Sequence, residues 1–300
     1  MTSNPGSANI VTPDRVVILG AGGQVGQEFQ YLISTGHWPQ QFTFLSHNDV
    51  DITHADQLHS YLEQLKAQVV INCAAYTQVD RAESDCEQAY AVNVRGVENL
   101  AQACRKMRAF LIHFSSDYVY HNNVNRPLLE TDATDPQGYY GKTKLWGEEK
   151  ARAVLPGTMI VRTSWVYSAF GNNFVKTMLR LGKEKSEVSV VDDQLGTPTW
   201  ARDLATAVLQ IISTRSPDTW AGIYNYSNEG VASWYDFAHS IFRLAGYLTP
   251  IYPIPSLRYP TPAPRPNYSI LSKQKIKEGF NLTIPHWTDS LASCLRDIQP

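Results

Sequence analysis

Tyr140 and Lys144 stand four residues apart in "DPQGYYGKTKLWGEEKARAV". On a helix that spacing stacks a phenol and an ammonium group on one face, one turn apart. A free tyrosine has a pKa of about 10 and exchanges protons poorly at neutral pH. A fixed cation within a few ångströms is expected to lower that value by roughly one to three units where the site is partly dry. The chemistry predicted is general acid catalysis by Tyr140, tuned by Lys144. The same spacing also describes an exposed amphipathic pair, so its surroundings must decide.

Those surroundings begin with the helix. Asp135-Pro136 is a turn signal, and "KLWGEEKARAV" is rich in helix formers. Far upstream, "RVVILGAGGQVGQEFQYLISTG" opens with an apolar run from Val16 to Leu19 and continues as an amphipathic helix closed by Gly36. Gly20, Gly23 and Gly26 space the turn between them as G-x-x-G-x-x-G. Small residues there let the backbone approach a pyrophosphate at the positive end of the helix. Glycines also serve ordinary tight turns, but the strand before and the helix after favour the nucleotide reading.

"QFTFLSHNDVDIT" predicts a second strand, Phe42 to Leu45, and a polar loop carrying Asp49 and Asp51. An acid at this strand's end suits the ribose hydroxyls of NAD, whereas a small or basic residue suits NADP. Ser46 and His47 offer no immediate carboxylate to repel a 2′-phosphate, so NADPH is expected to serve at least as well as NADH. A polar helix from about Asp56 to Lys66 leads to the buried strand of "AQVVINCAAYTQVDRAE". Asn72, Ala74 and Ala75 at its end either admit a cofactor or make a plain tight turn. A long helix, "EQAYAVNVRGVENLAQACRKM", precedes the strand of "RAFLIHFSSDYVY". Ser115, Ser116 and Asp117 thus fall at a strand end, where open α/β sheets bind ligands. A hydroxyl there bonds a substrate carbonyl, or caps the next turn of the chain.

The alternation predicts an α/β fold: a Rossmann-type doubly wound parallel sheet with a smaller C-terminal substrate-binding lobe. The dinucleotide-binding domain is expected over 14–170 and is rejoined by about 195–215. Residues 171–300 mainly form the lobe, including "GIYNYSN" and the Pro-rich "YPIPSLRYPTPAPRPNYS". Residues 1–13 read as a disordered tail without a signal peptide's charged start or apolar core.

Composition excludes several classes. The 300 residues are 43% hydrophobic and 18% charged, with a net charge of −2 at pH 7, which disfavours nucleic-acid binding and attachment to anionic membranes. No apolar stretch approaches spanning length. Cys73, Cys86, Cys104 and Cys294 are widely spaced and read as reduced cytoplasmic thiols. No histidine spacing suggests catalytic zinc.

Taken together, "GAGGQVGQEF", "DVDIT", "NCAAYTQVDRAE", "AVNVRGVENLA", "FSSDYVY", "YYGKTKLWGE", "VRTSWVY", "NNFVKTML", "DQLGTPTWARDLA" and "SWYDFAHSI" resemble the dTDP-4-dehydrorhamnose reductase family of the extended short-chain dehydrogenase/reductase superfamily, over roughly 15–295. The resemblance implies hydride transfer from a reduced nicotinamide, NADPH or NADH, to the C4 ketone of dTDP-4-dehydro-L-rhamnose. It implies that Tyr140 protonates the developing alkoxide and Lys144 holds the nicotinamide ribose. Ser116, where the family commonly has threonine, polarises the ketone, and Asp117 and Trp165 contact the sugar, although a tryptophan of this kind is often simply core. Gly20, Gly23, Gln24, Val25 and Gly26 match the pyrophosphate turn, Asp51 and Ile52 the adenine side, and Ala75, Tyr76 and Thr77 the nicotinamide side.

Glu28 falls where some family members build a magnesium site between subunits. Its fellow ligands are not identifiable, so Glu28 reads as a surface carboxylate; magnesium remains an option and no metal is expected. Arg265 either clamps a diphosphate through its planar fork or is a solvated loop residue. Two rival functions share the pattern: an NADP-binding regulatory subunit like that of methionine adenosyltransferase, and a reductase of another nucleotide 4-ketosugar. Tyr140, Lys144 and the Ser116 hydroxyl favour an enzyme. The expected partners are a nucleotide-sugar substrate and, at most, a second copy of the chain, as monomer or homodimer.

Overall fold

The computed structural model describes residues 12–121 and 124–298. The tail expected over 1–13 falls outside them except for its last two residues. The central sheet takes β1 (Arg15–Leu19), β2 (Gln41–Leu45), β3 (Val69–Asn72), β4 (Phe110–Ser116), β5 (Met159–Thr163) and the strand Gly222–Tyr226. Its spatial order is β2, β1, β3, β4, β5 and then Gly222–Tyr226, with every pair parallel. Parallel strands covered on both faces need apolar residues on both, which explains the unbroken runs Val16–Leu19 and Val69–Ile71.

Because β1 lies between β2 and β3, the chain leaves β1 to one side and later returns to its other side. This switch opens a crevice at the carboxyl ends of β1 and β3, the usual ligand position in such sheets. The register sets Leu19 beside Asn72, Asn72 beside His113, and Ser116 beside Thr163. The functional strand ends thereby share one edge.

Helix α1 (Gln24–Thr35) and the helix Ala201–Thr214 cover one face, burying Phe29, Leu204, Val208 and Ile212 against Ile18 and Ile71. Helix α2 (Ala55–Gln64), Val97–Met107 and Tyr139–Val154 cover the other through Leu58, Leu62, Leu100 and Ala151. A third apolar cluster lies between the helices Phe174–Glu184, Trp234–Ala245 and Trp287–Ile298, with Phe237, Ile241 and Leu291 at its centre.

Two expectations need correction. "GIYNYSN" is not lobe: Gly222–Tyr226 is the edge strand of the central sheet, parallel to β5. Tyr224 and Tyr226 enter the first core cluster. Asn225 bonds elsewhere, giving its amide to the Leu128 carbonyl at 2.9 Å. Tyrosines and asparagine hide the alternation that a more apolar strand would display. The single long helix expected around residue 95 is also broken, by a π turn over Ala91–Gly96 between Cys86–Tyr90 and Val97–Met107. Such turns gather at functional sites.

Candidate active site

The glycine turn forms the first wall of the site. Gly20 has φ +74°, and a Cβ on it would lie 2.5 Å from the Ala74 nitrogen, so a side chain is excluded by conformation and by space. A Cβ on Gly26 would strike the Gly20 carbonyl oxygen, which lets α1 start hard against the turn. Gly23 is the N-cap of α1 and offers no side chain to the helix's first amides, leaving donors for an anion.

A cavity of about 500 Å³ opens over this turn. Gly20, Gly23, Asp51, Ile52, Ala75, Tyr76 and Thr77 all line it, together with Gly22, Ser46 and His47. A backbone cradle of this shape and size fits a dinucleotide. Three other residues expected on the pyrophosphate turn are not on the wall. Gly26 packs behind it, Val25 packs against the core, and the Gln24 amide oxygen accepts the Asn173 amide at 3.0 Å.

Buried amides stiffen the opposite wall. Asn93, placed by the π turn, accepts the Tyr76 N–H at 2.9 Å and donates to the Tyr76 carbonyl at 3.0 Å and to Thr143 Oγ1 at 3.1 Å. Asn72 accepts the Ala74 N–H at 3.0 Å, and its amide meets His113 Nδ1 at 3.0 Å. At the second strand's end, Asp49 is turned back onto Ser46, accepting its N–H at 2.7 Å and its hydroxyl at 2.6 Å.

Helix Tyr139–Val154 carries Tyr140 and Lys144 beneath β4. Its N-cap, Gly138, has no capping side chain; instead Glu83 accepts the Tyr139 N–H at 2.7 Å from the neighbouring loop. Tyr140 is 9% exposed and Lys144 2%. The expected tuning of one by the other is overturned. Lys144 Nζ donates to the Phe114 carbonyl at 2.7 Å, because its long stem reaches β4. Burial pushes the Tyr140 phenol up to about 12, opposed by a Ser116 hydroxyl bond and reinforced by the Asp117 charge. Burial also pulls Lys144 down to about 8, which Glu148 partly offsets.

Ser116 ends β4 and caps the short turn after it, accepting the Tyr118 N–H at 3.2 Å and donating to Asp117 Oδ1 at 3.0 Å. Asp117 is 2% exposed. Burial raises its carboxyl to about 6 against the Ser269 and Ser116 hydroxyls. Tyr118 meets Tyr140 edge-on, with ring centroids 5.5 Å apart. Tyr140, Ser116 and Asp117 therefore converge, whereas Lys144 stands one turn behind them.

A second cavity, about 510 Å³, is lined by the helix Phe174–Glu184, Trp234, the Pro-rich segment and Asp80. Arg265 lines it beside Asp80, with Nη2 to Oδ2 at 2.7 Å. Sequence reading missed Asp80, whose partner lies 185 residues away. Phe174, Trp234 and Gln194 share this wall. Trp165, at φ +47°, stacks on Trp234 with centroids 3.6 Å apart, within the aromatic packing of the lobe.

Glu28 is not a surface carboxylate. It is fully buried and accepts from Arg202 Nε and Ser168 Oγ, both at 2.7 Å. No described helix is long and apolar enough to cross a membrane.

The RmlD substrate binding domain model matches residues 14–299. The dTDP-4-dehydrorhamnose reductase of Burkholderia thailandensis is 37% identical over 297 residues, covering 95% of this chain and 99% of the relative. That of Escherichia coli is 38% identical over 294 residues, covering 94% and 97%. Among solved structures, the Clostridium acetobutylicum dTDP-4-dehydrorhamnose reductase matches with a TM-score of 0.89 at 39% identity, covering 95% of this chain and 100% of that one. The Bacillus anthracis reductase, in complex with NADP, gives 0.89 at 35% identity, covering 95% and 99%. The chain therefore belongs to the RmlD substrate binding domain family, that of the dTDP-4-dehydrorhamnose reductases.

Proposed function

We propose that the protein reduces the C4 ketone of dTDP-4-dehydro-L-rhamnose to dTDP-L-rhamnose, using NADPH or NADH. The observation that carries this reading is the meeting of Tyr140, Ser116 and Asp117 at the carboxyl end of β4. The relatives bear the same activity in their names.

The glycine turn, Asp51, Ile52 and Ala75 to Thr77 would hold the dinucleotide. Bound there, a reduced nicotinamide supplies the hydride. Tyr140, with a pKa of about 12, keeps its proton at neutral pH and donates it to the oxygen that was the ketone's. Lys144, at about 8, remains mostly charged, and its ammonium would hold the ribose. Ser116 polarises the ketone, Asp117 and Trp165 face the sugar, and Arg265 takes the diphosphate.

The nucleotide domain is read as 14–170 with 195–215 and the edge strand Gly222–Tyr226, and most of the rest of 171–300 as the substrate lobe. We place the enzyme in the cytoplasm as a monomer or homodimer; its free cysteines and the lack of a membrane-crossing helix among the described residues support that placement. The test is loss of reduced-nicotinamide absorbance when purified protein meets dTDP-4-dehydrorhamnose with either cofactor. Turnover is expected with both. Protein that binds NADPH yet reduces no 4-ketosugar would favour the regulatory-subunit reading instead.

A further inference from the structure

A serine hydroxyl has one hydrogen to donate, and that of Ser116 is directed to its neighbour Asp117. It goes to Asp117 Oδ1 at 3.0 Å, while the oxygen accepts the Tyr118 N–H at 3.2 Å. In this arrangement Ser116 offers an incoming ketone only lone-pair density, which repels a carbonyl oxygen. An ionised carboxylate can only accept, so it holds the hydroxyl in this direction. A protonated Asp117 can donate instead, turning the contact around and freeing the Ser116 hydrogen.

We infer that Asp117 is a positioning residue whose protonation sets the direction of the Ser116 hydroxyl, so that Ser116 polarises the ketone only while Asp117 carries a proton. The inference rests on the proposed reductase activity and adds a regulation of the same site.

The setting suits this exchange. Asp117 is almost wholly buried, and its Oδ2 makes no hydrogen bond of ordinary length among the described residues. A carboxylate buried this deeply is costly to ionise. Its carboxyl accordingly titrates at about 6, although the Ser269 and Ser116 hydroxyls favour the charge. The ionisable groups facing it are Tyr140 on the Tyr139–Val154 helix and Tyr118 on its own turn. Tyr118 in turn feels Arg265 from the Pro-rich segment and Asp80 from the loop after β3. Burial raises both phenols, so neither titrates where Asp117 does.

The experiment is the pH profile of kcat at saturating nucleotide sugar for wild type, Asp117→Asn and Ser116→Ala, with NADPH binding by nicotinamide fluorescence as the check on folding. Wild-type kcat should fall as pH rises through Asp117's transition, by up to about tenfold per pH unit. The Asp117→Asn amide can donate to Ser116 at every pH, so that inflection should vanish. It should vanish in Ser116→Ala as well, at a lower kcat, although Asp117 is intact. A role for Asp117 in sugar contact or packing alone would not tie its inflection to Ser116. Survival of the inflection in either variant, or a flat wild-type profile, overturns the inference while leaving the reductase reading in place. If Asp117→Asn no longer binds NADPH, Ser116→Ala decides. A wild type that reduces no 4-ketosugar at any pH overturns the reductase reading, and this inference with it.

Discussion

Lys144 Nζ donates to the carbonyl of Phe114 at 2.7 Å, across to β4 rather than toward the phenol one turn before it. The buried ammonium is thereby stored close to Tyr140 without lowering its pKa. Burial depresses Lys144 from 10.5 to about 8. The unfolded chain therefore binds this proton more readily than the folded one, and the charge opposes folding. The cost is fully present below pH 8, is relieved as pH rises toward 10.5, and is on the order of 3 kcal/mol. Lys144→Met is expected to bind NADPH more weakly and turn over more slowly, yet to melt no lower than wild type at pH 7. Melting curves should show the pH-dependent gain above pH 8 in wild type only. A variant that keeps wild-type affinity for NADPH would remove Lys144 from the ribose.

Tyr140→Phe removes one oxygen and keeps the ring against Tyr118. NADPH binding should persist while ketone reduction drops by about 10²- to 10⁴-fold, the usual worth of a general acid. Reduction at the wild-type rate would rule Tyr140 out as proton donor.

Arg265 is held against the second cavity by Asp80, with Nη2 to Oδ2 at 2.7 Å. Arg265→Ala should raise KM for the nucleotide sugar with little change in kcat, by roughly 10- to 100-fold if a charged hydrogen bond of about 1.5–3 kcal/mol is lost. Asp80→Asn should raise KM less, because the guanidinium remains but is no longer fixed. An unchanged KM in Arg265→Ala leaves the arginine as a structural tie between lobe and core.

The helix carrying Tyr140 is anchored by an ion pair between Glu148 and Arg162, with Nη2 to Oε2 at 2.6 Å and both side chains nearly inaccessible. Arg162 also donates to the Tyr120 hydroxyl at 2.6 Å. Burial works against the Arg162 charge, but Glu148 and Tyr120 outweigh it and raise its pKa. Glu148→Ala strands that cation and should destabilise the fold by about 3–5 kcal/mol, read as a lower urea midpoint with an unchanged slope. A midpoint within error of wild type would show that water reaches Arg162.

At the end of β2, Ser46 holds Asp49 through its N–H at 2.7 Å and its hydroxyl at 2.6 Å. With that carboxylate turned back, NADPH should be used at least as well as NADH in side-by-side kinetics. Ser46→Ala loosens Asp49 and should shift the ratio toward NADH. A large wild-type preference for NADH would show that an acid reaches the ribose.

The glycine turn, the alternation of strands with helices and the Tyr140–Lys144 spacing were all legible in the chain, because each is a local pattern whose physics acts within a few residues. An apolar strand followed by small residues and an amphipathic helix has few ways to fold, and the phrase carries that constraint with it. Beyond reach lay whatever depended on where a side chain ends. Spacing on a helix fixes the Cβ positions of Tyr140 and Lys144, but the β4 carbonyl that captures the ammonium comes from another element. Burial, not the neighbouring cation, then decides the phenol's pKa.

The same division explains the other differences. Gly222–Tyr226 joins the sheet because β5 leaves an edge for it, and its tyrosines and asparagine disguise the alternation. Glu28 reads as surface until Arg202 and Ser168 close over it, both distant in sequence. Asp80 gains its meaning only from Arg265. The sequence alone determined the kind of fold and the residue types at the strand ends, since backbone preference and apolar patterning are local. Tertiary structure alone decided each group's partner and charge, since desolvation and hydrogen bonding depend on residues that the chain brings together from far apart.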